Sequence, residues 1–108
     1  GYGDLGCYGN TVIRTPHLDR MAAEGTRFTS FYPAAAVCTP SRAGLLTGRN
    51  PIRAGQPNNT GPETQGGLPL SEILLPQVLK QVGYRTMAIG KWHLGHQPEA
   101  QLPVRRGF

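Results

Sequence analysis

The sequence predicts an α/β fold, on three observations. Residues 15–25, 39–48 and 76–83 each combine helical spacing with a glycine stop. Two runs rich in aromatic and β-branched residues, 27–32 and 84–89, each follow such a segment. A polar stretch, Gly90-Lys91-Trp92-His93, lies just past the second run, and in open α/β sheets ligands gather beyond the carboxyl ends of strands.

Taken in order, residues 15–25 predict a two-turn helix. Thr15 can cap it, Pro16 suits the first helical position, Leu18, Met21 and Ala22 share a face, and Gly25 ends it. The run 27–32 predicts a short strand leading toward Cys38, which would place that cysteine at a strand-to-helix junction. In Cys38-Thr39-Pro40-Ser41-Arg42-Ala43-Gly44-Leu45-Leu46-Thr47-Gly48-Arg49, Thr39 is expected to N-cap, Pro40 to open the helix and Gly48 to supply a left-handed stop once Leu45 and Leu46 have buried themselves. Cys38 then faces a helix N-terminus. Unpaired N–H groups and the positive end of the dipole favour a thiolate or a bound anion there, and Arg42, one turn on, offers a fork of donors to an oxyanion. Sulfate and phosphate both fit that description.

Residues 76–83 predict a further helix, although Leu75 is a poor cap, and 84–89 predict a buried strand. Alternate residues of an extended segment point the same way, so Lys91 and His93 are expected on one face, with Trp92 opposite and packed into the core. The 15 Gly and 10 Pro cluster between Arg53 and Pro69 and again after Gly95, which reads as loops. Within the loop 56–62, Asn59-Thr60-Gly61 lacks the Ser or Thr that a glycosylation acceptor needs two positions on, and the loop receives no specific role.

The 108 residues suffice for one domain, yet no Met precedes Met21 and no closing element follows Gly107-Phe108, so a piece of a longer chain is expected. The formal charge of +5 suits an anionic partner. Nine arginines are scattered, with only Arg105-Arg106 adjacent and no basic stripe interleaved with aromatics; this argues against nucleic acid and makes most of them solvated surface charges. No apolar run is long enough to cross a bilayer, and no signal peptide is present in these residues. Cys7 and Cys38 fit neither a disulfide scaffold nor a zinc pattern; each is a lone thiol or the two form one bridge. Cys7 reads as a buried or loop thiol, His17 and His96 as surface histidines, and Asp4 as a turn or capping residue.

Cys38-Thr39-Pro40-Ser41-Arg42, followed by Leu45-Leu46-Thr47-Gly48, resembles the signature of the type I sulfatases, in which the cysteine is converted to formylglycine. Eight matching positions at roughly one chance in twenty each make an accidental match on the order of 10⁻¹⁰ per start site. Gly83-Tyr84-Arg85-Thr86-Met87-Ala88-Ile89-Gly90-Lys91-Trp92-His93 is similar to the family's second motif, and Gly1-Tyr2-Gly3-Asp4-Leu5-Gly6-Cys7-Tyr8-Gly9 to the segment after its metal-binding aspartates.

The resemblance implies an alkaline-phosphatase-like sandwich with a central mixed sheet flanked by helices. Residues 1–108 would form part of its N-terminal catalytic domain, without the first strand and the downstream part. It implies a sulfuric-ester hydrolase acting on sulfate monoesters, arylsulfatase-like, with Ca²⁺ or another divalent metal. Cys38, as formylglycine, would be both nucleophile and metal ligand, with Arg42 bracing it. Lys91 would bridge that group and the sulfate, and His93 would assist deprotonation as sulfate leaves, a task suited to a group titrating near neutrality. The partners implied are the sulfate ester and a formylglycine-generating enzyme. Family members are often periplasmic, secreted or lysosomal. An Asp pair just upstream of Gly1, an Asp-Asn pair far downstream, and a downstream Lys and His complete the family site, so these residues alone are expected to be inactive. Two alternatives stay open: a phosphonate or phosphate ester hydrolase of the same superfamily, and a noncatalytic anion-binding module in which Cys38 remains a thiol.

Overall fold

The structure, a computed structural model, describes residues 1–108. Where the length suggested one domain, the chain forms two compact units, Gly1–Phe31 and Tyr32–Phe108.

The first unit joins two short 3-10 turns, Tyr2–Asp4 and Gly6–Tyr8, to helix α1, Pro16–Glu24. Pro16 opens the helix as expected, but Thr15 does not cap it. Its hydroxyl accepts the Gly6 amide (2.8 Å) and donates to the Asp19 carboxylate (2.9 Å), which also accepts the Cys7 amide (2.7 Å). Those bonds tie the turn to the start of the helix. The strand expected at 27–32 does not form. Backbone carbonyls in that stretch are taken by side chains instead: Tyr8 donates to Phe28 (2.6 Å) and Tyr2 to Thr29 (3.2 Å). Cys7 sits half-buried in the second turn, and both cysteines are free thiols.

The second unit contains α2 (Cys38–Thr47), β1 (Gly66–Gly67), α3 (Leu75–Gln81) and β2 (Gly95–Gln97), followed by two 3-10 turns. Its core is Ala43, Ala54, Leu68, Leu74 and Leu94, with Leu46 and Trp92 packed against it. Gly48 ends α2 in the expected left-handed conformation, φ 67°. The two strands pair antiparallel, Gly66 opposite Gln97 and Gly67 opposite Gly95, and the Leu68 amide donates to the Leu94 carbonyl (2.9 Å). At Gly67 a Cβ would lie 2.2 Å from the Leu94 carbonyl oxygen, so the close approach that fixes the segment after His93 requires glycine. Helix α3 starts at Leu75, one residue early, because the Gln77 side chain accepts the Leu74 amide (2.8 Å) and replaces the missing cap.

Residues 84–89 join no ladder and are mostly exposed, contrary to the buried strand expected; Met87 is 75% and Ile89 89% exposed, and only Thr86 is half-buried, its hydroxyl donating to the Gly107 carbonyl. A buried strand needs neighbours on both edges and layers on both faces, and residues 1–108 supply neither. The chain is thus an α/β segment of the alkaline-phosphatase-like class that contributes one short antiparallel pair. No helix is long and apolar enough to cross a membrane.

Arg106 is an exception to the expectation that most of the arginines are surface charges. It is 2% exposed, and its guanidinium donates to the carbonyls of Leu68 (2.8 Å), Pro69 (3.1 Å) and Glu72 (3.1 Å). Glu72 in turn pairs with Arg49. Burial pushes the Arg106 pKa down while the Glu72 charge pulls it back up, and a guanidinium so placed stays charged at neutrality.

Candidate active site

Cys38 is the first residue of α2, not the residue before it. Val37 occupies the cap position in an extended conformation and has no side-chain oxygen with which to cap, while Thr39, expected there, lies inside the helix and is engaged elsewhere. The Thr39 amide donates to Asn59 Oδ1 (2.8 Å), and Thr39 Oγ1 accepts the Thr60 amide (3.3 Å) and lies 3.4 Å from Thr60 Oγ1. Pro40 has no N–H, and the Ser41 amide reaches back to the Val37 carbonyl (3.2 Å). The rack of free donors expected at this helix end therefore reduces to the Cys38 amide. What the turn retains for an anion is the helix dipole and Arg42. Cys38 itself is half-buried.

Arg42, on α2, and His93, through the loop that bonds Thr39, connect to the same helix. Arg42 donates through Nη1 to the Lys91 carbonyl, and its Nε is buried with no partner. His93 places Nε2 2.8 Å from the Thr60 carbonyl, while its Nδ1 is also buried and unpartnered. The backbone of His93 is left-handed, φ 58°, which breaks the simple alternation expected for residues 91–93. Lys91 is exposed, and Trp92 packs on the core as expected, donating Nε1–H to the Gln101 carbonyl (3.0 Å) and meeting Phe108 edge-on at 6.0 Å. His93 turns instead toward Thr60. Lys91 is thus joined to α2 through its carbonyl on Arg42, and His93 through Thr60 on Thr39.

Thr39, Asn59 and Thr60 are the site residues that sequence reasoning missed. A Pro/Gly-rich loop marked 56–62 only as irregular, and no local pattern shows that it folds back over a helix end 20 residues away. In that loop Asn58-Asn59-Thr60, one residue upstream of Asn59-Thr60-Gly61, does have the acceptor spacing, with Asn58 exposed. His17 and His96 are exposed, as expected.

The Sulfatase family model matches residues 1–108. The chain belongs to the sulfatase family. It is 56% identical over 110 residues to human arylsulfatase A and 53% identical over 116 residues to N-acetylgalactosamine-6-sulfatase of Rattus norvegicus. Each alignment covers the whole chain but 22% of the relative, so the chain spans about a fifth of the length of the curated relatives it matches. Among solved structures, it superposes on crystal structures of Ps i-CgsB, alone and in complex with k-i-k-neocarrahexaose, with a TM-score of 0.83 and sequence identities of 39% and 38%. These cover all of this chain and 24% of that one.

Proposed function

We propose that the polypeptide carrying this chain is a sulfuric-ester hydrolase that cleaves sulfate monoesters, with Cys38 matured to formylglycine by a formylglycine-generating enzyme. The observation that carries the reading is the juxtaposition at α2: a free, half-buried cysteine in the first helical turn, with Arg42 and His93 each keeping a buried nitrogen without a partner. Buried polar atoms without partners are rare, and these two are available to a hydrogen-bonding group at the site. A thiol is a weak donor and a weak acceptor, whereas the two hydroxyls of a hydrated aldehyde are both good hydrogen-bonding groups, so the residues present fit the modified side chain.

That group supplies one hydroxyl to attack sulfur and a second through which sulfate is released, an exit that a plain thiol lacks. Around it, Arg42 braces position 38 and, by holding the Lys91 carbonyl, fixes the segment that carries Lys91. The exposed Lys91 ammonium neutralises a non-bridging sulfate oxygen. His93 accepts the proton of the releasing hydroxyl.

A divalent metal, Ca²⁺ or another, belongs to the same proposal through the family resemblance, but the donor set of residues 1–108 does not make its site. No cluster of three or more His, Cys, Asp or Glu exists in the chain, and Ca²⁺ takes about six to eight oxygens. Position 38 is the one ligand proposed from these residues.

The test uses the full-length polypeptide, co-expressed with a formylglycine-generating enzyme and assayed on matched sulfate and phosphate esters of an aryl alcohol and of a sugar. Sulfate release that disappears in Cys38→Ala is the expected result. Faster phosphate or phosphonate turnover would move the assignment to the other superfamily chemistry. Binding of inorganic sulfate by an unmodified thiol form without turnover would make it a noncatalytic module.

A further inference from the structure

We infer that Thr39, Asn59 and Thr60 form a clasp that fixes the tautomer of His93 and so acts as a positioning device for the proton step. A backbone carbonyl can only accept a hydrogen bond, so the 2.8 Å contact between the Thr60 carbonyl and His93 Nε2 puts the proton on Nε2. In the neutral ring, Nδ1 then carries the lone pair. It is the Nδ1 atom that is buried with no partner, which leaves it as the ring's free acceptor.

The Thr60 carbonyl needs to be held to do this, because loop backbone outside a ladder is otherwise free to rotate. Two bonds to the first turn of α2 hold it: Thr39 Oγ1 accepts the Thr60 amide at 3.3 Å, and Asn59 Oδ1 accepts the Thr39 amide at 2.8 Å. They run in opposite directions between adjacent residues of loop and helix, so each restricts rotation about the other. The anchor is the same turn that presents Cys38, and Thr39 is fully buried there. The imidazole is therefore positioned relative to residue 38 through one residue of helix and two of loop. The side chain of Thr60 contributes only a 3.4 Å hydroxyl contact, whereas its backbone makes both essential bonds. This inference extends the hydrolase reading in its kinetic consequence alone; the tautomer is a property of the folded chain.

The experiment is ¹⁵N NMR of the full-length polypeptide with labelled histidine, His93 being assigned by its loss in His93→Gln, followed by steady-state kinetics on the same samples. The variants are Thr39→Val, Thr39→Ser, Asn59→Leu and Thr60→Val, each checked by mass for the state of residue 38. In the parent, Nε2 should report as protonated and Nδ1 as bare. Thr39→Val and Asn59→Leu should mix the tautomers and lower kcat about tenfold with KM within about twofold, as expected when a supporting partner of a functional histidine is lost. Thr39→Ser should restore both readouts, and Thr60→Val, which keeps both backbone bonds, should keep Nε2 protonated. A parent ring protonated on Nδ1, or a Thr39→Val ring with an undisturbed tautomer, would overturn the clasp. Failure of the parent to hydrolyse any sulfate ester, with the tautomers behaving as stated, would overturn the hydrolase reading and leave the clasp standing.

Discussion

His93 holds a left-handed backbone at φ 58°, a conformation that costs a non-glycine side chain about 1–2 kcal/mol. Such strain persists where surrounding bonds over-determine it, and at His93 they are the Nε2 contact to Thr60 and the Leu94 carbonyl held by the Leu68 amide. Asparagine tolerates this backbone region, so His93→Asn should keep the fold within about 0.5 kcal/mol in thermal melts while lowering turnover by roughly 10²–10⁴-fold. A comparable loss of stability and activity would mean that the ring is a packing residue. The candidates Cys38, Arg42, Lys91 and His93 were legible because two motifs spell them out. The means by which they are held were not. Thr39, Asn59 and Thr60 are ordinary loop and helix-end residues, and only the fold places a carbonyl 33 residues upstream against the imidazole.

Among the elements, the helices were readable from local chemistry and the strands were not. Pro16, Gly48 and Gly83 punctuate the chain through their own backbone preferences, which need no distant partner. Pairing is nonlocal. The one ladder that forms joins glycine-rich stretches some 30 residues apart that β-propensity passes over, whereas the aromatic and β-branched runs 27–32 and 84–89 find no ladder. Arg106 shows the same limit for charge: nothing in Arg105-Arg106 distinguishes the exposed arginine from the one that bonds three carbonyls between β1 and α3. Arg106→Met would leave those carbonyls buried without donors and Glu72 with one fewer neutralising charge. It should destabilise the protein by roughly 3 kcal/mol, read as a lowered thermal midpoint, and an unchanged midpoint would show that water replaces the guanidinium.

At the scale of the molecule, the exposed row Tyr84, Met87 and Ile89 is the clearest sign of what the chain requires around it. Its apolar side chains and unpaired backbone suit an interior strand, and the relatives that match the chain are about five times longer. Hydrogen exchange should therefore find the amides of residues 85–89 unprotected in the isolated 108-residue chain and strongly protected in the full-length polypeptide; fast exchange in both would make this segment a surface loop. The same comparison should find activity only in the longer polypeptide, since residues 1–108 assemble no metal-binding cluster of their own. The central claim is that α2 presents Cys38 for conversion and use as a sulfatase nucleophile. Its most direct test is the mass of the residue-38 peptide from full-length enzyme whose sulfate ester turnover has just been measured. The active protein should show a loss of about 18 Da at that peptide, thiol to aldehyde, with neither mass loss nor turnover in Cys38→Ala. An active enzyme with an intact Cys38 thiol would contradict it.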